Sequence, residues 1–372
     1  MGSFRRPFEV VDYDALMRRH APPPEYFEGD WLAEPEQIEA RQLERLKSRA
    51  QSAYAVPFFA RRFDEAGVSP ADLESLDDLS RFPAYRVDDI RRSIEAHPPL
   101  GDYQGASLGG VLEEPVRVFM SGATTGAPRP TLYTQWDREA GAILMARALY
   151  LQGVRPGDVV LNAWAYSTHN GAFAFDEALH KWLNCVVLTT GTGNVTSSRR
   201  QVELAHQYQA TAILTTGDYL LHLADVAREM GLDPKEDFDI RALPNIGDRA
   251  KLEATWGAPN YQSYGFHEVQ WVSVECPERQ GLHIFEDAFV VQIVDPETGE
   301  PREDGEPGSI CITEIYKTGS PQFRYDIKDL SFLYPKERCE CGSWLRRMGA
   351  FAGRADNMVK LRGLNVWPEA LG

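Results

Sequence analysis

The sequence has no run of about 18 apolar residues, the length at which a bilayer-spanning helix begins. Positive charge is in short supply. Lys and Arg number 39 against 55 Asp and Glu, a net charge of −16, so the clustered cations that neutralise nucleic-acid phosphates are missing. Cysteine is scarce, five in 372 residues, which makes no disulfide framework and leaves the thiols reduced or metal-bound. The N-terminal MGSFRRPFEV lacks the apolar core of a signal peptide, and Arg6 sits where a myristoylation site wants a hydroxyl. Repeats, low-complexity tracts and long linkers are absent as well. These absences describe a cytoplasmic protein with neither nucleic acid nor membrane as partner. What remains is a chain 43% hydrophobic and 25% charged, the composition of a soluble globular protein with room for two or three structural units.

Residues 36–67 carry apolar residues at helical spacing; Pro57 interrupts the pattern and Gly67 closes it. Short helices follow, with Ser69 and Ser75 as caps. From about 111 the character changes. Val116 to Met120 reads as a buried strand, and Asp137 caps a helix that runs to about Leu151 and stops at Gly153. Further strands lie within 157–166, 181–190 and 210–216, the last followed by a helix to Met230. Strands alternating with helices predict an α/β fold with doubly wound, mainly parallel sheets. After 270 the alternation shortens, with turns at Asp295–Gly299 and Asp304–Gly308, which predicts a late antiparallel β section.

The segment Met120–Pro130 reads MSGATTGAPRP. Hydroxyls at Ser121, Thr124 and Thr125 with glycines at 122 and 126 let backbone N–H groups approach a phosphate. A Walker loop would need Lys and then Ser or Thr after its second glycine, and this segment has neither there. On residues alone, a solvated flexible loop is the alternative.

The order of those residues closely resembles the SGTTGxPK loop of the acyl-adenylate-forming enzymes, with Arg129 in place of the usual Lys. The remaining motifs follow in the family's order. Tyr264–Glu268, YGFHE, resembles YGxTE, which implies that Glu268 holds Mg²⁺ and that Tyr264, Gly265 and His267 flank the nucleotide. Here His267 replaces the usual Thr or Ser. Tyr325–Leu330, YDIKDL, resembles the motif whose Asp binds the ribose hydroxyls, giving that role to Asp329 although Lys328 replaces a Gly. GRADNMVKLRGLNVWP resembles the hinge motif and assigns Arg354 to the nucleotide side and Asp356 to the hinge. Gly247, in a short adenine-side segment, is the implied adenine contact.

Within the superfamily, the N-terminal leader and the segments around "ECPERQGLHIFEDAFVV" and "RYDIKDLSFLYPKERCECG" are most similar to phenylacetate-CoA ligases and related aryl-acid AMP ligases. The resemblance implies a large N-terminal domain over 1–356, with a helical leader (1–110), a nucleotide and aryl-acid region (111–270) and a β section (271–356). Residues 357–372 would be the stub of a C-terminal domain, and the Lys this domain carries in the family is absent.

Cys276 and His283 form a C-x₆-H pair, and Cys339 and Cys341 a C-x-C pair. Cys₃His is a normal tetrahedral zinc inventory, and the turns around Pro277, Gly281 and Gly342 would let each half bite one ion. In the resembling ligases these positions occur together, which favours a structural zinc. Cys185 and Cys311 lie in apolar strands and read as core.

The stretch 162–179 stands in the place of the family's aryl-pocket segment and 189–194 in that of its facing loop, with Tyr166, His169 and Phe173 facing an aromatic acid and Gly171 and Gly191 leaving room. The plain alternative is that these aromatics are core. The implied reaction uses ATP and an aromatic acid to form acyl-AMP, with Ser121, Gly122, Thr124, Thr125, Gly126 and Arg129 around the phosphates. CoA is the expected acceptor. A carrier-protein thiol, an amine or a hydroxyl is the rival, and a catalytically weak nucleotide- or acid-binding module is the reading from another class. A homodimer is compatible with all of these.

Overall fold

The computed structural model describes residues 7–20, 30–106, 115–121, 128–355, 359–361 and 364–366. The chain opens with helices α1 (Pro7–Val10), α2 (Tyr13–Arg19), α3 (Pro35–Tyr54), α4 (Pro57–Ala66) and α5 (Val87–Ala96). Pro57 separates α3 from α4 because it lacks an N–H and starts a new helix at its first turn. Gly67, at φ +66°, ends α4 in the left-handed conformation that a Cβ would disfavour. Along α3, Ile38, Gln42, Leu46, Arg49, Ala50 and Ala53 are buried, a stripe at helical spacing.

Strands β1 (Val116–Met120) and β2 (Pro130–Thr134) pair antiparallel, with Met120 opposite Pro130. Helix α6 (Gln135–Leu151) follows directly. Its cap is Thr134, not Asp137: the Thr134 side chain accepts from the Asp137 N–H, and the Asp137 carboxylate accepts from the Thr134 N–H. Asp137 occupies the third helical position of a reciprocal capping box. Helix α6 is buried on nearly all sides, as a central helix must be.

The parallel part comprises β3 (Val159–Asn162), α7 (Gly171–Glu177), β4 (Val186–Thr189), α8 (Ser198–Gln207), β5 (Ala212–Leu214), α9 (Gly217–Glu229) and α10 (Arg249–Trp256). Its strand order is β4-β3-β5, both pairings parallel. Adjacent residues of β3 serve opposite faces. Leu161 packs with Val202, Leu220 and Leu252 of α8–α10, while Val160 packs with Met145 and Leu149 of α6. The sheet is therefore wound on both sides.

The antiparallel section begins at 263, earlier than the sequence suggests. It holds β6 (Ser263–Phe266), β7 (Gln270–Val274), β8 (Leu282–Ile284), β9 (Phe289–Val294), β10 (Gly308–Glu314), β11 (Tyr325–Ser331) and β12 (Arg347–Met348). These form two sheets, β12-β8-β7-β6 and β11-β10-β9. A last antiparallel pair, β13 (Val359–Leu361) and β14 (Leu364–Val366), follows. The helical leader shares one core with this section, where Phe58, Phe59, Phe63 and Tyr85 join Phe285, Phe289 and Phe323.

Candidate functional site

Four places in the fold bring sequence-predicted residues together. The first is the end of the β1–β2 pair where Met120 lies opposite Pro130. The Ser121 N–H donates to the Arg129 carbonyl at 3.0 Å, and the Arg129 N–H donates back to Ser121 Oγ at 3.1 Å. The Met120 N–H donates to Thr168 O at 2.8 Å, tying the loop's base to the segment after β3. Gly122, Thr124, Thr125 and Gly126 lie outside the described residues, as does Asp356.

Arg129 reaches across to Glu268, with Nη2 2.9 Å from Oε1. Glu268 sits in the tight β6–β7 turn and is buried. Its backbone is clamped from below. Tyr133 Oη donates to the carbonyls of His267 (3.1 Å) and Glu268 (3.0 Å), and Lys317 Nζ donates to the Glu268 carbonyl at 2.6 Å. Lys317 is itself fully buried, its ammonium 3.8 Å from the centre of the Tyr133 ring. Neither Tyr133 nor Lys317 belongs to a motif visible in the sequence. Burial pushes the His267 imidazole down to about 4, against the opposing pull of Glu268. Gly265 is required where it stands, since a Cβ there would run into the Gln270 carbonyl.

The second place joins Tyr264, Asp329 and Arg354, expected on the nucleotide side. Tyr264 Oη donates to Asp329 Oδ2 at 2.9 Å, and Arg354 Nη1 donates to Asp329 Oδ1 at 3.1 Å. Asp329 and Arg354 also form a backbone bridge. The Gly247 carbonyl accepts from Gln262 Nε2 at 3.3 Å. Gly247 precedes α10 and packs against Gly217, so closely that a Cβ would come within 2.9 Å of the Gly217 Cα.

The third place is a cavity of about 190 Å³ beside the β6–β7 turn. Trp164, Phe175, Phe266 and Trp271 form aromatic walls, with Phe175 and Trp271 edge to face at 5.1 Å. Among the described residues, no Asp, Glu, Lys or Arg lines it. Of the residues expected to face an aromatic acid, Gly171 lines this cavity. Tyr166, Phe173 and Gly191 form a cluster alongside it. Tyr166 lies edge to face on Phe173 at 5.3 Å, its hydroxyl donates to Asp176 at 3.0 Å, and a Cβ on Gly191 would point at the Tyr166 ring. His169 is exposed, its ring 6.0 Å from that of His267. The sequence reading missed Gln270 and Asn245, which line the same cavity. Gln270 has φ +67° although it is not glycine, and nothing in the sequence marks it.

Far from these, Cys276, His283, Cys339 and Cys341 bring their ligand atoms within 4.8 Å of one another. Cys276 Sγ is 3.9 Å from Cys339 Sγ, and Cys341 Sγ is 3.6 Å from His283 Nε2. Zn–S bonds of about 2.3 Å arranged tetrahedrally put ligand atoms about 3.7 Å apart, so the cluster has the dimensions of a zinc site. His283 Nδ1 faces the Leu345 carbonyl at 3.3 Å, which leaves Nε2 for a metal. Cys185 and Cys311 are buried in the core, as the sequence predicts.

A scan against protein-family models finds no match. Individual proteins do match. The chain is 35% identical over 342 residues to a phenylacetate-coenzyme A ligase of Thermus thermophilus, covering 90% of this chain and 74% of the relative. It is 32% identical over 347 residues to the phenylacetate-coenzyme A ligase of Escherichia coli, covering 90% and 75%. Among solved structures, it superposes on a 2-hydroxyisobutyryl-CoA ligase in complex with 2-HIB-AMP and CoA with a TM-score of 0.83 at 26% identity, over 98% of this chain and 84% of that one. An O-succinylbenzoate coenzyme A synthetase from Bacillus subtilis, in complex with ATP and magnesium ion, shares the fold at a TM-score of 0.50 and 18% identity, over 68% of this chain and 52% of that one. The motifs in their order, the β1–β2 pair, the clamped glutamate and these likenesses agree: the chain belongs to the phenylacetate-coenzyme A ligase family of acyl-adenylate-forming enzymes.

Proposed function

We propose that this protein is an acid-thiol ligase that activates an aromatic carboxylic acid with ATP to an acyl adenylate and then passes the acyl group to CoA. One observation carries the reading. The β1–β2 pair, through Arg129 and its contact with Glu268, and a ring-sized cavity meet at a single turn, β6–β7. In this reading the acid carboxylate attacks the α-phosphorus, and pyrophosphate leaves. Catalysis is then positioning and charge stabilisation. The Ser121–Arg129 loop surrounds the β- and γ-phosphates, with Thr125 and Arg129 next to the departing charge. Asp329, held by Tyr264 and Arg354, takes the ribose hydroxyls. Gly247 and Gly265 line the path of the nucleotide, and Asp356 is the hinge.

Glu268 fits a magnesium ion, since its buried carboxylate already faces a cation in Arg129. When bound, that ion would neutralise charge developing on the phosphates. The Cys276–His283–Cys339–Cys341 cluster fits a structural zinc, because four closed ligands leave no position for water chemistry. A cytoplasmic setting accords with reduced thiols at that site. Among the described residues no helix is long and apolar enough to cross a membrane.

The test is incubation with ATP, magnesium and a panel of benzoates and phenylacetates, with and without CoA, followed by mass spectrometry. Acid-dependent AMP and an acyl-CoA of matching mass are expected. Neither acyl-AMP nor acyl-CoA with any acid would contradict the proposal.

A further inference from the structure

We propose that the acyl cavity selects an aromatic acid bearing a neutral hydroxyl or primary amine on its ring, in preference to a bare hydrocarbon ring. This deepens the aryl-acid reading and rests on it. The argument comes from three amides that line the cavity and are buried, with residue exposures of 2% for Asn170, 2% for Asn245 and 8% for Gln270.

The hydrogen-bond network fixes which atom each one presents. Asn170 Oδ1 accepts from Arg138 Nη1, so its Nδ2 is left as a donor. Asn245 Nδ2 donates to the carbonyls of Ile213 (3.1 Å) and Thr215 (2.7 Å), so its Oδ1 is left as an acceptor. Both amide atoms of Gln270 are without a partner among the described residues. Gln270 is nevertheless held in place. Its backbone sits at φ +67°, and its amide packs so closely on α6 that a Cβ on Gly141 would come within 2.5 Å of Oε1. A non-glycine residue at such a φ persists where its surroundings over-determine it, which happens at ligand sites more than elsewhere.

Buried polar atoms are almost always paired, because leaving one unpaired forfeits its hydration. Three such side chains, joined by the unpaired Nε2 of His267, in one cavity walled otherwise mostly by apolar and aromatic groups point to a ligand that pairs them. Its chemistry follows from the atoms offered. A second carboxylate is excluded, because Asn245 Oδ1 would repel it and no cation lines the cavity among the described residues. A hydroxyl suits both kinds of partner, donating to Asn245 Oδ1 or Gln270 Oε1 and accepting from Asn170 Nδ2, and an amine suits the acceptors. Size agrees as well. A cavity of about 150 Å³ holds benzene, so about 190 Å³ holds one ring and a small substituent.

The test is calorimetric titration of the protein, in the presence of AMP, with phenylacetates and benzoates carrying hydrogen, hydroxyl, amine, methyl or carboxylate at each ring position. For at least one position, the hydroxyl or amine acid should bind at least about tenfold tighter than its methyl isostere, since a site built for a polar group rejects the analogue lacking it. Gln270→Leu and Gln270→Met should each reduce that ratio. A wild-type protein that binds the methyl isosteres as tightly as, or tighter than, the polar acids at every position would overturn the proposal, whatever the variants do. Binding of no acid in the panel would instead overturn the aryl-acid reading beneath it.

Discussion

Asp287 is a buried carboxylate facing three basic side chains, and its removal has a calculable cost. The carboxylate is buried in the turn between β8 and β9. It accepts from Arg147 Nη1 at 2.7 Å and Nη2 at 3.4 Å, faces His20 Nδ1 at 3.1 Å, and lies 3.9 Å from Arg45. It thereby joins α2, α3 and α6 to the antiparallel section. Asp287→Asn keeps the shape and removes the charge, stranding the Arg147 guanidinium, whose side chain is 6% exposed and packs 4.9 Å from the Phe285 ring. Breaking a buried pair from one side costs about 3–5 kcal/mol. At roughly 2.1 cal/mol/K of unfolding entropy per residue over 372 residues, that lowers Tm by about 4–6 °C.

The pH dependence has a definite sign. Burial alone would raise the Asp287 pKa, but Arg147 and the His20 contact overcome it and hold the carboxyl below its ordinary range. A depressed acid stabilises fully above its unfolded pKa, about 3.9. The advantage of wild type over Asp287→Asn should therefore hold at neutral pH and shrink as pH falls below about 4. Urea unfolding at several pH values measures it. A difference under about 1 kcal/mol at pH 7 would refute the reasoning, and adding Arg147→Met to Asp287→Asn should recover much of the loss by removing the stranded charge.

Metal analysis of protein purified without added zinc should find close to one zinc per chain, and Cys276→Ser should lose both the metal and thermal stability; no metal with unchanged stability would refute the zinc assignment. Glu314 is fully buried, and burial pushes its carboxyl up to about 8. An acid raised in the folded state costs stability as pH climbs from its unfolded pKa toward the folded one, here a span worth on the order of 5 kcal/mol. Glu314→Gln should remove that slope between pH 5 and 8 in chemical unfolding, and parallel wild-type and variant curves would refute it.

The chemistry was more legible in the sequence than its supports. YGFHE and YDIKDL announce themselves because phosphate, ribose and cation recognition need particular side chains at short spacing. The four candidate metal ligands are visible as a C-x₆-H and a C-x-C pair, which gain meaning only taken together. Helix ends marked by Pro57 and Gly67 were equally readable, since each acts through its own backbone. The β1–β2 pairing was not, because Pro130 opens β2 and a proline argues against a strand on propensity alone. The early start of the antiparallel section was hidden for a related reason. The β6–β7 turn is made by His267, Glu268 and Val269, none of them an ordinary turn former, and the positive φ falls on Gln270. Lys317, clamping Glu268 from 49 residues away, and the orphan amides of Asn170 and Asn245 depend on tertiary placement that no local pattern encodes.

The role of Glu268 is where geometry and chemistry meet most closely. ATP–pyrophosphate exchange, measured with an aryl acid on wild type and on Glu268→Gln, tests it with little change of shape. Wild type should exchange only when acid is present, and the variant should lose at least about a hundredfold, the size of one preorganised electrostatic contribution, while unfolding at a similar temperature. Exchange retained by Glu268→Gln, or exchange by wild type that ignores the acid, would contradict the account.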